Sequence, residues 1–177
     1  ERNYPHQEME FTFEGSSEKQ LHILQTRNQV IHKSPEYQVL GSAIANLKSL
    51  GSGIGIGKGA VSGIIVINQE HIEKFKNSGE ALILVRPDTV PDDMMMLFEC
   101  QGLLTSRGGV TSHAAVTATR LGLIGVVNCR DLVVNEANST LRIKNVDLKA
   151  GDKITIDATG GMIYLGIQPL QSVQSLV

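Results

Sequence analysis

A repeated alternation of short apolar runs with segments of helical spacing is the feature of this sequence that most restricts its fold. Four apolar runs have the length of buried strands, namely residues 61–67, 81–85, 102–106 and 124–127. Helices are predicted between them, over residues 69–76, 89–99 and 111–121. Three later runs predict strands near 140–143, 153–157 and 162–165. Strands that alternate with helices are typical of α/β domains, and this domain is predicted to contain more β-structure than a doubly wound fold.

The helix predicted over 89–99 has a recognisable start. Thr89 is expected to be its N-cap, with Pro91 and the acidic pair Asp92 and Asp93 in the first turn. Proline fits the first turn because its missing N–H is not needed there, and acidic side chains are favoured by the helix dipole.

Composition places the chain among globular proteins. Of its 177 residues 41% are hydrophobic and 19% charged, which is too apolar for intrinsic disorder. The net charge of −2 comes without a basic block, so we expect no nucleic-acid partner and no membrane partner. Cys100 and Cys129 form neither a disulfide framework nor a metal-binding pair. We therefore expect a reducing, cytoplasmic location, with an organelle as the alternative.

The N-terminal third has a different pattern. Met9, Phe11 and Phe13 alternate with polar residues, and Leu21 begins a second such run beyond the polar loop 14–19, which predicts a β-hairpin. Residues 34–50 are predicted to be a linker with a helix that begins near Ser34-Pro35. Because the chain begins at Glu1 with neither an initiator Met nor a signal sequence, we expect it to be a piece of a longer protein.

The segment that indicates chemistry runs from Ser106 to His113. A predicted buried strand leads into Arg107-Gly108-Gly109 and then into the first turn of a helix that contains His113. Glycines leave backbone N–H groups uncovered for an anion. The positive end of the helix disfavours an imidazolium, so a neutral and nucleophilic His113 is expected. Arg107 is the nearest candidate to pair with a phosphoryl group.

Residues 108–122, GGVTSHAAVTATRLG, resemble the phosphohistidine signature of the phosphoenolpyruvate-utilising enzymes. The similarity extends over residues 51–166 and implies the swivelling β/β/α phosphohistidine domain of that family. It implies that His113 is the catalytic residue that carries the phosphoryl group. Arg107, Gly108, Gly109 and Ser112 would support it, and Thr111 would be a site of regulatory phosphorylation.

The first 33 residues sharpen this resemblance. Glu8 to Phe13 and Leu24 to Arg27 resemble the last hairpin of the ATP-grasp nucleotide-binding domain of the pyruvate phosphate dikinases. By this resemblance Glu10, Gln25 and Arg27 contact the nucleotide, and Glu10 faces its Mg²⁺. The magnesium would enter with ATP in the full-length enzyme, and no cofactor is expected on the isolated domain. A nucleotide domain ahead of the histidine domain fits the dikinases and the phosphoenolpyruvate synthases but not enzyme I.

The resemblance to the dikinases implies a phosphotransferase that forms AMP, pyrophosphate and phosphoenolpyruvate from ATP, phosphate and pyruvate. Four parts are expected: a hairpin over 1–33, a linker over 34–50, the phosphohistidine domain over 51–166, and a second linker over 167–177 towards a pyruvate-binding barrel. The partners are then ATP and pyruvate through other domains, in a homodimer. Two alternatives stay open: a synthase that uses water as acceptor, and a noncatalytic swivelling module that only docks partners.

Overall fold

The computed structural model describes residues 7–13, 21–28, 36–41 and 47–174. The chain divides into two compact units, one of residues 1–35 with 175–177 and the other Glu36–Gln174. In the first unit, strands β1 (Gln7–Phe13) and β2 (Leu21–Asn28) pair antiparallel, with a register shift between Glu10 and Phe11. The predicted hairpin is therefore confirmed, and its loop lies outside the described residues.

The second unit alternates strands and helices. Its strands are β3 (Glu36–Leu40), β4 (Gly51–Ser52), β5 (Ile54–Ile56), β6 (Ala60–Val66), β7 (Ala81–Arg86), β8 (Gly102–Thr105), β9 (Ile124–Val127), β10 (Leu132–Asn135), β11 (Thr140–Ile143), β12 (Val146–Lys149), β13 (Lys153–Asp157), β14 (Met162–Leu165) and β15 (Leu170–Gln174). Its helices are α1 (Gln69–Phe75), α2 (Met94–Glu99) and α3 (His113–Leu121), with a 3-10 turn at Pro91–Asp93 before α2.

One eight-stranded sheet organises the described part of this unit. Its strand order is β4-β14-β13-β6-β7-β8-β9-β5. The neighbours β6, β7, β8 and β9 are parallel, because each is joined to the next by a helix that returns the chain to the same end of the sheet. The predicted alternation of strands and helices over residues 61–127 is thereby confirmed.

The two faces of this sheet bury different partners. On β7, Leu82 and Leu84 belong to a core cluster with residues of α1, α2 and α3. The intervening Ile83 and Val85 pack in a second cluster with residues of the antiparallel sheet β10-β11-β12. The unit therefore has three layers, helices on one face and a small sheet on the other. Both faces of β7 are buried, which explains its continuous apolar sequence.

The helical linker predicted over 34–50 is wrong where the structure describes it. Residues Glu36–Leu40 form β3, which pairs antiparallel with β15, and residues 47–49 have no regular structure. The predicted linker over 167–177 likewise contains β15. Each strand exists because the other pairs with it, and neither has a local sequence signal for that partner. Residues 34, 35, 42–46 and 175–177 lie outside the described residues.

Two helix starts differ from prediction. The turn before α2 is capped by Val90 and not by Thr89, because the Asp93 carboxylate accepts a hydrogen bond from the Val90 amide at 3.0 Å. Helix α3 begins two residues later than predicted, since Ser112 provides the cap. The strands β4, β5, β10 and β12, of two to four residues each, have no counterpart in the prediction.

Candidate functional site

The turn between β8 and α3 carries the residues singled out from the sequence. Ser112 is the N-cap of α3, and its Oγ accepts a hydrogen bond from the Ala115 amide at 3.3 Å. This cap satisfies one of the amide groups that have no partner within the helix. It also places His113 at the first helical position, where uncapped amide groups of the first turn can bind an anion.

Of the two glycines in this turn, only Gly108 occupies a position where a side chain would be strained and too close to its neighbours. Gly108 has a φ of 99°, a region that side chains rarely adopt, and a Cβ there would lie 2.9 Å from the Ser112 Oγ. Gly109 lies outside that region, and a Cβ on it would meet nothing within 4 Å. Gly108 therefore shapes the turn and protects the cap, while Gly109 leaves the backbone open on its outer side.

Hydrogen bonds to the residue that follows strand β7 hold the start of the turn. The Arg107 amide donates to the Pro87 carbonyl at 2.9 Å, and the Ser106 hydroxyl donates to the same oxygen at 3.0 Å. The Thr105 hydroxyl closes the base of the turn by donating to the Arg107 carbonyl at 2.6 Å. The backbone just before the glycines is therefore held by a neighbouring strand end as well as by its own strand.

The His113 side chain takes no part in these hydrogen bonds. It is exposed, and among the described residues nothing lies within hydrogen-bond distance of its imidazole. Arg107, Val110 and Thr111 are exposed too, whereas Ser112 is half-buried. A nucleophile that is reached from several directions suits a group that must exchange a phosphoryl group with more than one partner.

Part of the chain matches a known protein family. Residues 79–161 match the family model described as "PEP-utilising enzyme, mobile domain". Residues 79–161 are therefore similar to the mobile domain of PEP-utilising enzymes. The matched range begins just before β7 and ends just before β14, so it contains the site turn, α3 and the whole small sheet.

The chain is also similar to pyruvate, phosphate dikinases. The chain is 38% identical to the one from Rickettsia bellii over 143 residues, which are 81% of this chain and 16% of that protein. It is 37% identical to the Rhizobium meliloti enzyme over 121 residues, covering 68% of this chain and 14% of that protein. The chloroplastic dikinase 1 of Arabidopsis thaliana is 35% identical over 123 residues, which are 70% and 13% of the two chains.

The chain therefore spans about one sixth of the length of the dikinases it matches. A solution structure of Enzyme I has a TM-score of 0.36, with 25% identity over 51% of this chain and 33% of that one. A score of this size does not establish a shared fold.

The predicted site residues fall into two groups, one in the turn between β8 and α3 and one in the hairpin of the first unit. Arg107, Gly108, Gly109, Thr111, Ser112 and His113 lie in one turn. Among described residues, however, no contact joins the side chains of Arg107 and His113. Glu10, Gln25 and Arg27 lie in the hairpin of the other unit, where the strand register sets Glu10 opposite Gln25 and Arg27 opposite Glu8.

Sequence reasoning missed a partly buried ion-pair network near the site turn. Arg86, the last residue of β7, contacts Asp93 ahead of α2 and Glu136 in the turn between β10 and β11. Asp93 is only 2% exposed. The sequence carries no distinctive signal for this network, because acidic residues in a first helical turn are ordinary exposed groups that the helix dipole favours. The third partner, Glu136, could not be found without the fold.

Two further features were tested in the described residues. No group of three or more His, Cys, Asp or Glu side chains there could hold a metal ion. No helix there is long and apolar enough to cross a membrane. Both findings apply to residues 7–13, 21–28, 36–41 and 47–174 alone.

Proposed function

We propose that this chain carries the phosphoryl-transfer histidine of a pyruvate phosphate dikinase, and that His113 is that residue. The observation that carries the proposal is the position of His113, exposed at the first turn of α3 directly after a glycine turn and a Ser112 cap. The match to the PEP-utilising mobile domain and the similarity to the dikinases support it. The remaining substrate sites are assigned to other parts of the full-length protein.

In the proposed reaction His113 acts twice, as acceptor and as donor. Its imidazole nitrogen forms a bond to the β-phosphorus of ATP while the bond between that phosphorus and the AMP oxygen breaks. Inorganic phosphate then takes the terminal phosphoryl group as pyrophosphate. A base elsewhere in the full-length protein takes a proton from the methyl group of pyruvate, and the enolate oxygen bonds to the remaining phosphorus as its bond to the His113 nitrogen breaks. This step gives phosphoenolpyruvate and regenerates the free imidazole. The amide groups at the start of α3 would stabilise the bound phosphoryl group, with Gly108, Gly109 and Ser112 shaping their surroundings.

The hairpin of the first unit fits a part of the nucleotide site. Its register sets a carboxylate residue, Glu10, opposite an amide residue, Gln25, with the guanidinium residue Arg27 two positions further along β2. Carboxylate and amide oxygens are the ligand types of Mg²⁺, and arginine suits phosphate. Glu10 would thus hold the magnesium that accompanies ATP and neutralises the charge of its phosphates, while Gln25 and Arg27 would contact the nucleotide.

Labelled ATP tests the assignment of His113. In the full-length protein, ATP labelled at the β-phosphate should leave radioactivity on His113 in the presence of Mg²⁺. Pyruvate should then remove it as labelled phosphoenolpyruvate. The phosphoramidate should be labile in acid and stable in base, unlike a phosphate ester on Thr111 or Ser112.

A matched pair of histidine variants supplies the control. His113→Asn should abolish both steps with little effect on folding, because an exposed residue contributes little to the core. His71→Asn, in the first turn of α1, should leave both steps intact. Parent-rate phosphoenolpyruvate formation by His113→Asn would contradict the proposal and favour a docking module. Turnover without inorganic phosphate would indicate the synthase reaction.

Several expectations stay predictions. They include the boundaries at residues 33, 50 and 166, the swivelling of the domain, the homodimer, the absence of a nucleic-acid partner, and the cytoplasmic or organellar location. The division of the chain at Glu36 and the pairing of β3 with β15 now suggest a boundary near residue 36 rather than 50. Limited proteolysis would locate it, since cleavage concentrates where few contacts hold the backbone.

A further inference from the structure

We infer that Arg86 is a positioning residue for the His113 turn, a role that rests on the proposed function. The starting observation is that Arg86 uses every nitrogen of its guanidinium group. Its Nε and one terminal nitrogen contact the two carboxylate oxygens of Asp93, at 3.3 and 3.2 Å. The other terminal nitrogen contacts Glu136 and donates to the Ile67 carbonyl at 3.2 Å.

These partners come from all three layers of the unit. Ile67 follows β6 in the main sheet, Asp93 lies in the turn that leads into α2, and Glu136 lies in the β10–β11 turn of the small sheet. The Asp93 side chain is 3% exposed and that of Arg86 is 18% exposed. A guanidinium with a two-pronged contact fixes orientation as well as charge. Arg86 therefore joins the three layers at one end of the main sheet.

The backbone that this side chain anchors is the support of the site turn. The Ser106 amide donates to the Arg86 carbonyl at 3.4 Å, and Pro87 accepts the two bonds from Ser106 and Arg107. Asp88 follows, and its Oδ1 lies 3.9 Å from the Cβ position of Gly108. The guanidinium group thus anchors residue 86, and hydrogen bonds join the carbonyl groups of Arg86 and Pro87 to Ser106 and Arg107, which directly precede Gly108.

Among the described residues, no hydrogen bond or ion pair orients the His113 side chain instead. Its position is set by the backbone of the turn and by the Ser112 cap. Removing a buried charge pair as a whole often changes stability little, whereas removing one partner is costly. The pair Arg86–Asp93 is therefore better explained by the geometry it fixes than by net stabilisation. A displacement of this support should slow phosphoryl transfer to and from His113 without affecting substrate binding elsewhere.

Two variants of the full-length protein separate positioning from folding. Arg86→Lys keeps the charge and loses the two-pronged contact. The double variant Arg86→Met/Asp93→Asn removes both charges together, and the introduced amide side chain keeps an oxygen that can accept from the Val90 amide. We expect each to fold cooperatively and to lower kcat by about 100-fold, since a displacement of about 1 Å can have that effect. The KM for ATP should not change, and both the ATP and pyruvate steps should slow alike.

The chain offers a matched control. Arg142 and Asp147 make the same kind of two-pronged pair, at 2.5 and 3.1 Å, with side chains 61% and 71% exposed. Arg142→Met/Asp147→Asn should leave kcat unchanged. Parent kcat in a folded Arg86→Met/Asp93→Asn protein, or an equal loss in the Arg142 control, would overturn the inference. If the double variant does not fold, Arg86→Lys decides in the same way.

A readout that needs no turnover separates this inference from the proposed function. In protein labelled with ¹⁵N at glycine and histidine, Arg86→Lys should shift the amide signals of Gly108 and Gly109 and the ring signals of His113. The signals of Gly160 and Gly161 near β14 should stay in place. If His113 is never phosphorylated in the parent, the proposed function fails. The shifts alone then decide whether Arg86 positions the turn, and unchanged shifts would overturn it.

Discussion

Replacing Gly108 by alanine is the most direct way to test whether the turn before His113 depends on its backbone conformation. A side chain at a φ of 99° costs about 1–3 kcal/mol. The new Cβ would also lie 2.9 Å from the Ser112 Oγ and 3.2 Å from its Cβ. Ser112 must then move, which weakens its bond to the Ala115 amide, a cap worth about 1 kcal/mol. Together these effects predict that the free energy of unfolding falls by about 2–4 kcal/mol.

Gly109 provides the control because it is the adjacent glycine in the same turn. It lies outside the positive-φ region, and a Cβ there meets nothing within 4 Å. Gly109→Ala should therefore change stability by less than about 1 kcal/mol, and it can even stabilise by restricting the unfolded chain. Urea denaturation followed by circular dichroism measures both values. Equal stabilities of the two variants, or a loss below about 0.5 kcal/mol for Gly108→Ala, would refute the reasoning, since uncritical surface changes fall in that range.

Two further predictions concern Cys100 and Thr111. Burial raises the pKa of the Cys100 thiol to about 12, so the folded state binds its proton more tightly than the unfolded state. The contribution of this thiol to the free energy of unfolding should be constant up to about pH 9 and be lost as the pH rises towards 12. Stability should therefore fall less over this range in Cys100→Val, as urea titrations at several pH values would show. Thr111 is exposed and α3 is capped by Ser112, so Thr111→Val should leave both stability and the labelling of His113 intact. Thr111→Asp should slow the labelling at least 10-fold, because its negative charge repels the phosphoryl donor. Equal labelling of the two variants would count against a regulatory role of Thr111.

A structural element can be predicted from the sequence where its conformation depends on residues that are close to it along the chain. The strands β7, β8 and β9 are continuous apolar runs because both of their faces are buried. The start of helix α3 is predictable to within two residues, since Ser112 and the following alanines are local signals. The position of His113 after a glycine turn follows from the same local pattern, which is why this part of the site is predictable.

Structures that depend on distant partners cannot be predicted in the same way. Strands β3 and β15 pair although about 130 positions separate them. The glycine-rich segment 51–59 packs against residues that its sequence does not indicate. A Cβ on Gly55 would overlap the Ala158 carbonyl, and one on Gly53 would overlap the Val127 carbonyl. These glycines allow close approach of backbones. That contact pattern becomes visible only when the strands that surround the segment are in place.

The two arginine–aspartate pairs of this unit show why burial decides what an ion pair does. Arg142 and Asp147 lie in water, where such a pair contributes about 0–1 kcal/mol and can be removed without consequence for the fold. Arg86 and Asp93 make the same contact in a place almost closed to solvent, where breaking the pair leaves a buried charge and an alternative orientation is costly. The buried pair therefore acts as a fixed support, and it lies beneath a turn whose own histidine is exposed and unrestrained. A histidine that reacts with different partners in the same geometry needs a fixed backbone and an accessible side chain.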